Sequence, residues 1–169
     1  DSLLCTLYGA LGEYAANIDA DYYQAIQWIY KGIELAQVNR HKQQYGLLLS
    51  QLANTYYLKR DGNGLKYALE CYELGCELQD NYLTYSGAIQ SAYMYFLNKQ
   101  HTQAMAYVQE AEALMKQHNF YDQAHTFNLL GQLLDELGNY PQAMEYYQKA
   151  MKDKQTAQTS SVVYAHLGY

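Results

Sequence analysis

The chain has 169 residues, of which half are hydrophobic and one is proline, and its formal net charge is −6 at pH 7. This length and apolar content predict a single domain, 1–169, with a substantial buried core. The acidic balance, with arginine only at Arg40 and Arg60, argues against a nucleic-acid-binding surface, and no run of 18 or more apolar residues is available to insert into a membrane.

Apolar residues recur at helical spacing along most of the chain and predict a series of antiparallel helix hairpins. In chain order the hairpins are expected at about 2–37, 42–79, 82–117 and 121–153. A polar stretch at 156–161 is expected to lead into the first helix of a fifth hairpin, 158–169, whose second helix is missing. The chain is therefore expected to be a fragment of a longer protein.

The fourth hairpin is the clearest copy. Leu130 and Leu134 lie on one helical stripe together with Gly131. Because a glycine inside a helix costs about 1 kcal/mol relative to alanine, we expect a second helix to pass close to Gly131. Gly138 predicts the end of the first helix, and Pro141 suits the first turn of the second.

The features of this hairpin recur through the chain. The first helices carry small residues that are separated by 41, 39, 39 and 37 positions: Gly12, Ala53, Ala92, Gly131 and Gly168. The second helices carry an alanine, followed four residues later by a larger residue: Ala25 and Ile29, Ala68 and Tyr72, Ala104 and Val108, Ala143 and Tyr147. An internal repeat of this kind outweighs other indications of fold.

The pattern resembles the tetratricopeptide repeat. The residues that carry the resemblance are Leu130, Gly131, Leu134, Gly138, Tyr140, Ala143, Tyr147 and Ala150. The resemblance implies an all-α, right-handed superhelical solenoid of about four and a half repeats. The period exceeds the ~34 residues usual for the family, and is similar to the longer variant of kinesin light chains and of bacterial transcriptional regulators and sensor kinases. HEAT repeats, at ~40–47 residues, fit the period but not the residue pattern.

Groups that carry catalysis or bind metals are scarce in the sequence. Cys5, Cys71 and Cys76 form no C-x-x-C pair, no two histidines stand four residues apart, and no H-E-x-x-H motif occurs. Glycine-rich phosphate loops and G-x-S-x-G motifs are also missing. We therefore expect a non-enzymatic protein with no cofactor and no metal. The odd number of cysteines slightly favours the cytoplasm, whereas a membrane-anchored sensor would place the domain in the periplasm.

The resemblance implies that the first helix of each hairpin lines a concave, peptide-binding face. Mapped onto this sequence, the expected binding residues are Ser50, Asn54, Tyr57, Ile89, Tyr93, Phe96, His125, Asn128 and Gln132. Aromatic residues lie in the middle of this set and polar residues at its ends. Family members that hold the terminal carboxylate of a chaperone use lysine, arginine and asparagine there. Asn54 fits that pattern, but neither lysine nor arginine is present in this set, so that class of receptor is disfavoured.

Two functions remain open at this stage. The first is the sensory or regulatory part of a bacterial signalling protein, in which the domain binds a protein or peptide segment. The second is a self-standing scaffold for assembly of a multiprotein complex. Val162, Val163 and Leu167 of the unfinished fifth repeat are expected to expose apolar surface and to support self-association.

Overall fold

The computed structural model of the protein describes residues 2–120 and 123–167, with 154–167 described as helix backbone. These residues form eight α-helices, a short 3-10 helix at Gly62–Gly64 and no β-strand. The helices are α1 (Ser2–Asn17), α2 (Tyr22–Val38), α3 (Lys42–Leu58), α4 (Leu65–Leu78), α5 (Asn81–Leu97), α6 (His101–His118), α7 (Ala124–Glu136) and α8 (Tyr140–Leu167). The all-α prediction is confirmed.

Consecutive helices pair into four hairpins, α1–α2, α3–α4, α5–α6 and α7–α8, and each hairpin packs on the next. The first helices of the hairpins also contact one another in turn. In contrast, the backbones of the second helices stay farther apart within the described part of the chain, and neighbouring second helices meet through long side chains such as Tyr30 and Tyr67. The first helices are therefore closer together than the second helices, which places them on the inner side of a curved solenoid.

Small residues of the first helices allow the second helices to approach closely. A Cβ atom added at Gly131 would lie 2.6 Å from Cε1 of Tyr147, and one added at Gly12 would lie 2.5 Å from Cγ1 of Ile29. Both contacts pair the small residue of a first helix with the larger residue that follows the second-helix alanine. This is the packing that the repeated sequence pattern predicted.

Every connection between helices contains one residue in the left-handed conformation. Gly138, which the sequence analysis placed at the end of α7, has φ of +79°. The other six connections use residues with φ between 50° and 60°: Ala20, Arg40, Arg60, Gln79, Lys99 and Asn119. Left-handed residues are the common way to end a helix, and glycine is the usual choice. At most of these helix ends the left-handed residue is not glycine, so the sequence did not indicate where the helix ends.

The C-terminal helix differs from the prediction. α8 runs unbroken from Tyr140 to Leu167, so the break expected at 156–161 is absent and the predicted fifth first helix at 158–169 is not a separate element. The reason is that residues 153–161 contain neither glycine nor proline, and nothing else in that stretch stops a helix. The expected apolar surface of Val162, Val163 and Leu167 lies outside the described side chains.

Tyrosines fill many of the half-buried positions between helices, as their apolar ring and polar tip allow. The rings of Tyr56 on α3 and Tyr67 on α4 stack with their centroids 5.6 Å apart. The hydroxyl groups of Tyr67 and Tyr30, on α2, lie 2.5 Å apart. Burial, together with the neighbouring Tyr30, raises the pKa of both Tyr56 and Tyr67 to about 12.

Candidate functional site

A groove with a volume of about 760 Å³ runs along the inner side of the solenoid. All of its lining residues come from first helices: Glu13 and Asn17 from α1; Leu47, Ser50, Gln51, Asn54, Tyr57 and Leu58 from α3; Tyr82, Tyr85, Ser86, Ile89, Gln90 and Tyr93 from α5; His125, Asn128 and Gln132 from α7. Its volume is in the range typical of ligand-binding clefts.

The structure brings eight of the nine predicted binding residues together in this groove: Ser50, Asn54, Tyr57, Ile89, Tyr93, His125, Asn128 and Gln132. Phe96 is the exception. Its half-buried ring packs against the core formed by α5, α6 and α7, with its centroid 6.1 Å from that of His101 and 5.5 Å from Nζ of Lys99. Phe96 is therefore a packing residue rather than part of the groove.

The two central tyrosines of the groove contact each other. The ring centroids of Tyr57 and Tyr93 lie 4.8 Å apart with the ring planes tilted by 48°. The hydroxyl group of Tyr93 also donates a hydrogen bond to the carbonyl oxygen of His125, at 3.1 Å, across to α7. Both rings are half-buried. They form a continuous aromatic wall that joins α3, α5 and α7, and part of each ring faces the groove.

The floor of the groove is well packed. Ile89 is only 6% exposed and belongs to the core, and Ser50 is equally buried. The hydroxyl groups of Ser50 and Ser86 lie 2.6 Å apart, and those of Tyr85 and Thr126 lie 3.0 Å apart. These hydroxyl contacts hold α3, α5 and α7 together beneath the groove. Ser50 and Ile89 therefore shape the floor, and they offer little surface to a ligand.

Carboxamide side chains form the polar part of the groove. Six of them line it, distributed over all four first helices: Asn17, Gln51, Asn54, Gln90, Asn128 and Gln132. Gln51 is held in place because its Nε2 donates a hydrogen bond to Oε1 of Glu13, at 2.9 Å. The sequence analysis selected Asn54, Asn128 and Gln132 but missed the other three. Gln51 and Gln90 occupy equivalent positions 39 residues apart, and each directly follows a selected binding residue, Ser50 or Ile89. This repetition in the sequence could have identified both glutamines as groove residues.

Only one lining residue carries a formal charge at pH 7 when histidine is neutral, and that residue is Glu13. No lysine or arginine is among the lining residues. Arg60 acts on the edge of the groove, where it lowers the pKa of Tyr57, although burial has the larger effect and the net pKa of Tyr57 is raised. The interior of the groove therefore has hydrogen-bonding and apolar groups but almost no charge.

Of the three cysteines, Cys5 and Cys71 are buried and Cys76 is exposed. Cys71 is fully buried, and burial, with smaller contributions from Asp80 and Glu70, raises the pKa of its thiol to about 12. Among the described residues, no three histidine, cysteine, aspartate or glutamate side chains converge on a possible metal position. No described helix is both long and apolar enough to span a lipid bilayer.

Comparison with known proteins agrees with this architecture. Residues 83–155 match the sequence profile described as tetratricopeptide repeat. The chain is also similar to the crystal structure of the apo form of RapI, with a TM-score of 0.76 and 12% sequence identity over 98% of this chain. The match covers 61% of the RapI chain, and at this identity it shows a shared fold. No curated protein sequence matches the chain.

Proposed function

Because residues 83–155 match the tetratricopeptide repeat profile and the chain shares the fold of RapI, we propose that the domain binds a polypeptide segment of a partner in its inner groove. Eight predicted residues from α3, α5 and α7 line that groove, which is the observation that carries the proposal. The function proposed is binding without catalysis.

The chemistry of the lining residues supports a polypeptide as the ligand. An extended peptide presents main-chain N–H and C=O groups that need partners when they leave water. Each carboxamide offers both donors and an acceptor, so the six in the groove are able to pair with either group. Tyr57 and Tyr93 add aromatic surface at the centre of the groove, where anchor residues contribute most in protein interfaces.

A substitution that fills the groove tests this proposal. Asn54 is half-buried and lies between the two ends of the groove, so Asn54→Trp would place a large ring in the path of a peptide. A matched control is Gln109→Trp, because Gln109 is exposed on the second helix α6. Peptides selected from a random nonapeptide library on the wild-type domain should lose at least tenfold in affinity for Asn54→Trp and keep their affinity for Gln109→Trp. Equal binding to all three proteins would place the binding surface elsewhere.

We propose further that the domain is the sensory or regulatory part of a bacterial signalling protein. The support is the spacing of 39 to 41 residues between equivalent positions of α1, α3, α5 and α7, which resembles the longer repeats of bacterial transcriptional regulators and sensor kinases. The reading frame that encodes the chain provides the test. A helix-turn-helix, a histidine-kinase domain or a transmembrane segment encoded in the same frame would support this role, and a frame that encodes only further helical repeats would contradict it.

The alternative function is a scaffold that holds several proteins together, and one feature of α1 favours it. Leu3, Leu7, Leu11 and Tyr14 lie on one stripe of this helix, Ile18 follows directly after its end, and each of the five is at least 36% exposed. A continuous apolar stripe of this kind usually marks a protein contact. Sedimentation of the domain over a range of concentrations would reveal self-association through such surfaces. A monomer at every concentration would leave the scaffold without this support.

A further inference from the structure

Charge is unevenly distributed between the two sets of helices. Within the described first helices, the charged side chains are Glu13, Lys42, Asp135 and Glu136, and α5 has none at all. Lys42 pairs with Glu77 at 2.7 Å, and Glu136 pairs with Lys99 at 3.0 Å. Of these four charged residues, Glu13 alone lines the groove.

No lysine lines the groove, and seven lysines of the described chain contact acidic or aromatic side chains elsewhere. Lys59 pairs with Asp61 at 3.2 Å, and Lys116 pairs with Glu112 at 2.7 Å. Three other lysines lie over aromatic rings within 4.7 Å of the ring centroid: Lys31 over Trp28, Lys66 over Tyr67 and Lys149 over Tyr146. An anionic side chain buried in the groove would therefore leave water without gaining a cationic partner among the lining residues, because Arg60, which acts on Tyr57, is exposed and is not one of them. Such burial is unfavourable.

Glu13 is positioned to meet a ligand at one end of the groove. It is exposed on α1, and Gln51 holds one of its carboxylate oxygens at 2.9 Å. No lysine, arginine or histidine of the described chain forms an ion pair with it. Its carboxylate is hence available to a positive charge on the ligand, next to the amide groups of Asn17 and Gln51.

The number of helices that line the groove sets the length of the ligand. Neighbouring packed helices lie about 8–10 Å apart, so four first helices span about 24–30 Å. An extended chain advances about 3.3 Å per residue. A segment of about seven to nine residues is therefore long enough to reach from α1 to α7.

We infer that the ligand is an extended peptide of about seven to nine residues, an inference that rests on the proposed function. The peptide is uncharged along its centre and positively charged at the end that lies against Glu13. The positive charge comes either from a free α-amino group or from a lysine or arginine side chain. In both cases the groove selects against acidic peptides, because only carboxamides, hydroxyl groups and apolar surface face the middle of the ligand.

Selection from two random nonapeptide libraries tests this inference, one library with free and one with acetylated amino termini. Peptides recovered on the wild-type domain should lack aspartate and glutamate at their central positions. Recovery from the free library alone identifies the α-amino group as the source of the charge, and recovery of peptides with a terminal lysine or arginine from both libraries identifies the side chain. The Glu13→Gln variant should bind the recovered peptides about two- to fivefold more weakly, with the difference shrinking at high salt.

Glu34→Gln is the matched control, because Glu34 is exposed on the second helix α2, and it should bind as the wild type does. Recovered peptides that are acidic at the centre, or that bind Glu13→Gln and wild type equally, would overturn the inference while leaving the groove as the binding site. Peptides that bind equally well to Asn54→Trp, or libraries that yield no binder, would instead overturn the proposed function.

Discussion

The contact between α4 and α5 predicts a specific effect of Gly87→Ala. A Cβ atom at position 87 would lie 2.3 Å from the main-chain nitrogen of Tyr72 and 2.4 Å from its Cα. Both atoms belong to the backbone of α4, so no change of side-chain rotamer relieves the contact. Because carbon atoms are normally at least about 3.5 Å apart, the two helices must separate by about 1 Å to admit the methyl group.

The expected loss of stability follows from this displacement. A gap of about 0.5–1 Å removes a quarter to a half of the dispersion attraction between the atoms on its two sides, and overpacking a core costs about 1–3 kcal/mol. We take the upper end of that range because the obstruction is backbone. Alanine restores about 1 kcal/mol through its better helix propensity. The free energy of unfolding should therefore fall by about 2 kcal/mol.

Urea denaturation followed by far-ultraviolet circular dichroism measures this loss, and two other glycines provide controls. In Gly131→Ala the new methyl group meets the ring of Tyr147, which is able to rotate away, so the change should stay within about 1 kcal/mol. Gly138 has no atom within 4 Å of an added Cβ, but its φ of +79° strains any other residue, at about 1 kcal/mol. A Gly87→Ala domain as stable as the wild type would refute the close approach of α4 and α5.

Three further predictions concern other parts of the molecule. Asp80 caps α5 by accepting a hydrogen bond from the main-chain nitrogen of Leu83 at 3.0 Å, so Asp80→Ala should lower the free energy of unfolding by about 1 kcal/mol in urea titrations. Tyr93→Ala should cost more than about 1 kcal/mol of peptide-binding free energy in fluorescence polarisation, whereas Tyr93→Phe, which keeps the ring, should cost less. Tyr67 has a pKa raised from 10.0 to about 12, so its contribution to stability is complete below pH 10 and is lost as the pH rises towards 12. The unfolding free energy of Tyr67→Phe should hence fall less steeply over that interval than that of the wild type, while Tyr23→Phe, at a residue that is 75% exposed, should follow the wild type.

The helical hairpins could be predicted because close packing constrains small residues strongly. Gly12 and Gly131 lie where a larger side chain would collide with Ile29 or Tyr147, and such positions must recur at every hairpin. The helix ends were harder to locate, because residues such as Gln79 and Lys99 adopt the left-handed conformation in place of glycine. Their conformation is imposed by the packing of the helices on either side, which local sequence does not record.

The groove was predictable as a surface but not in every residue. Tyr57 and Phe96 stand 39 positions apart at equivalent places in neighbouring repeats. Both rings are half-buried and pack against core residues, but Tyr57 also lines the groove. A phenol carries a hydroxyl group that favours a position with access to water, whereas a phenyl ring has no polar group to place there. Helical spacing alone treats the two residues as the same, so the side-chain chemistry must be weighed at each repeat.

The same reasoning explains why the repeat pattern indicates the binding face more clearly than the ligand. Glu13, Asn54, Tyr93 and Gln132 occupy one equivalent position on the four first helices. Helices about 8–10 Å apart meet an extended peptide about once every three residues, so each of these side chains contacts a different part of the ligand. The repeated spacing fixes the geometry of those contacts, while one carboxylate, two amides and one aromatic ring give them three kinds of chemistry. Specificity in this domain therefore depends on the groove positions at which the repeats differ.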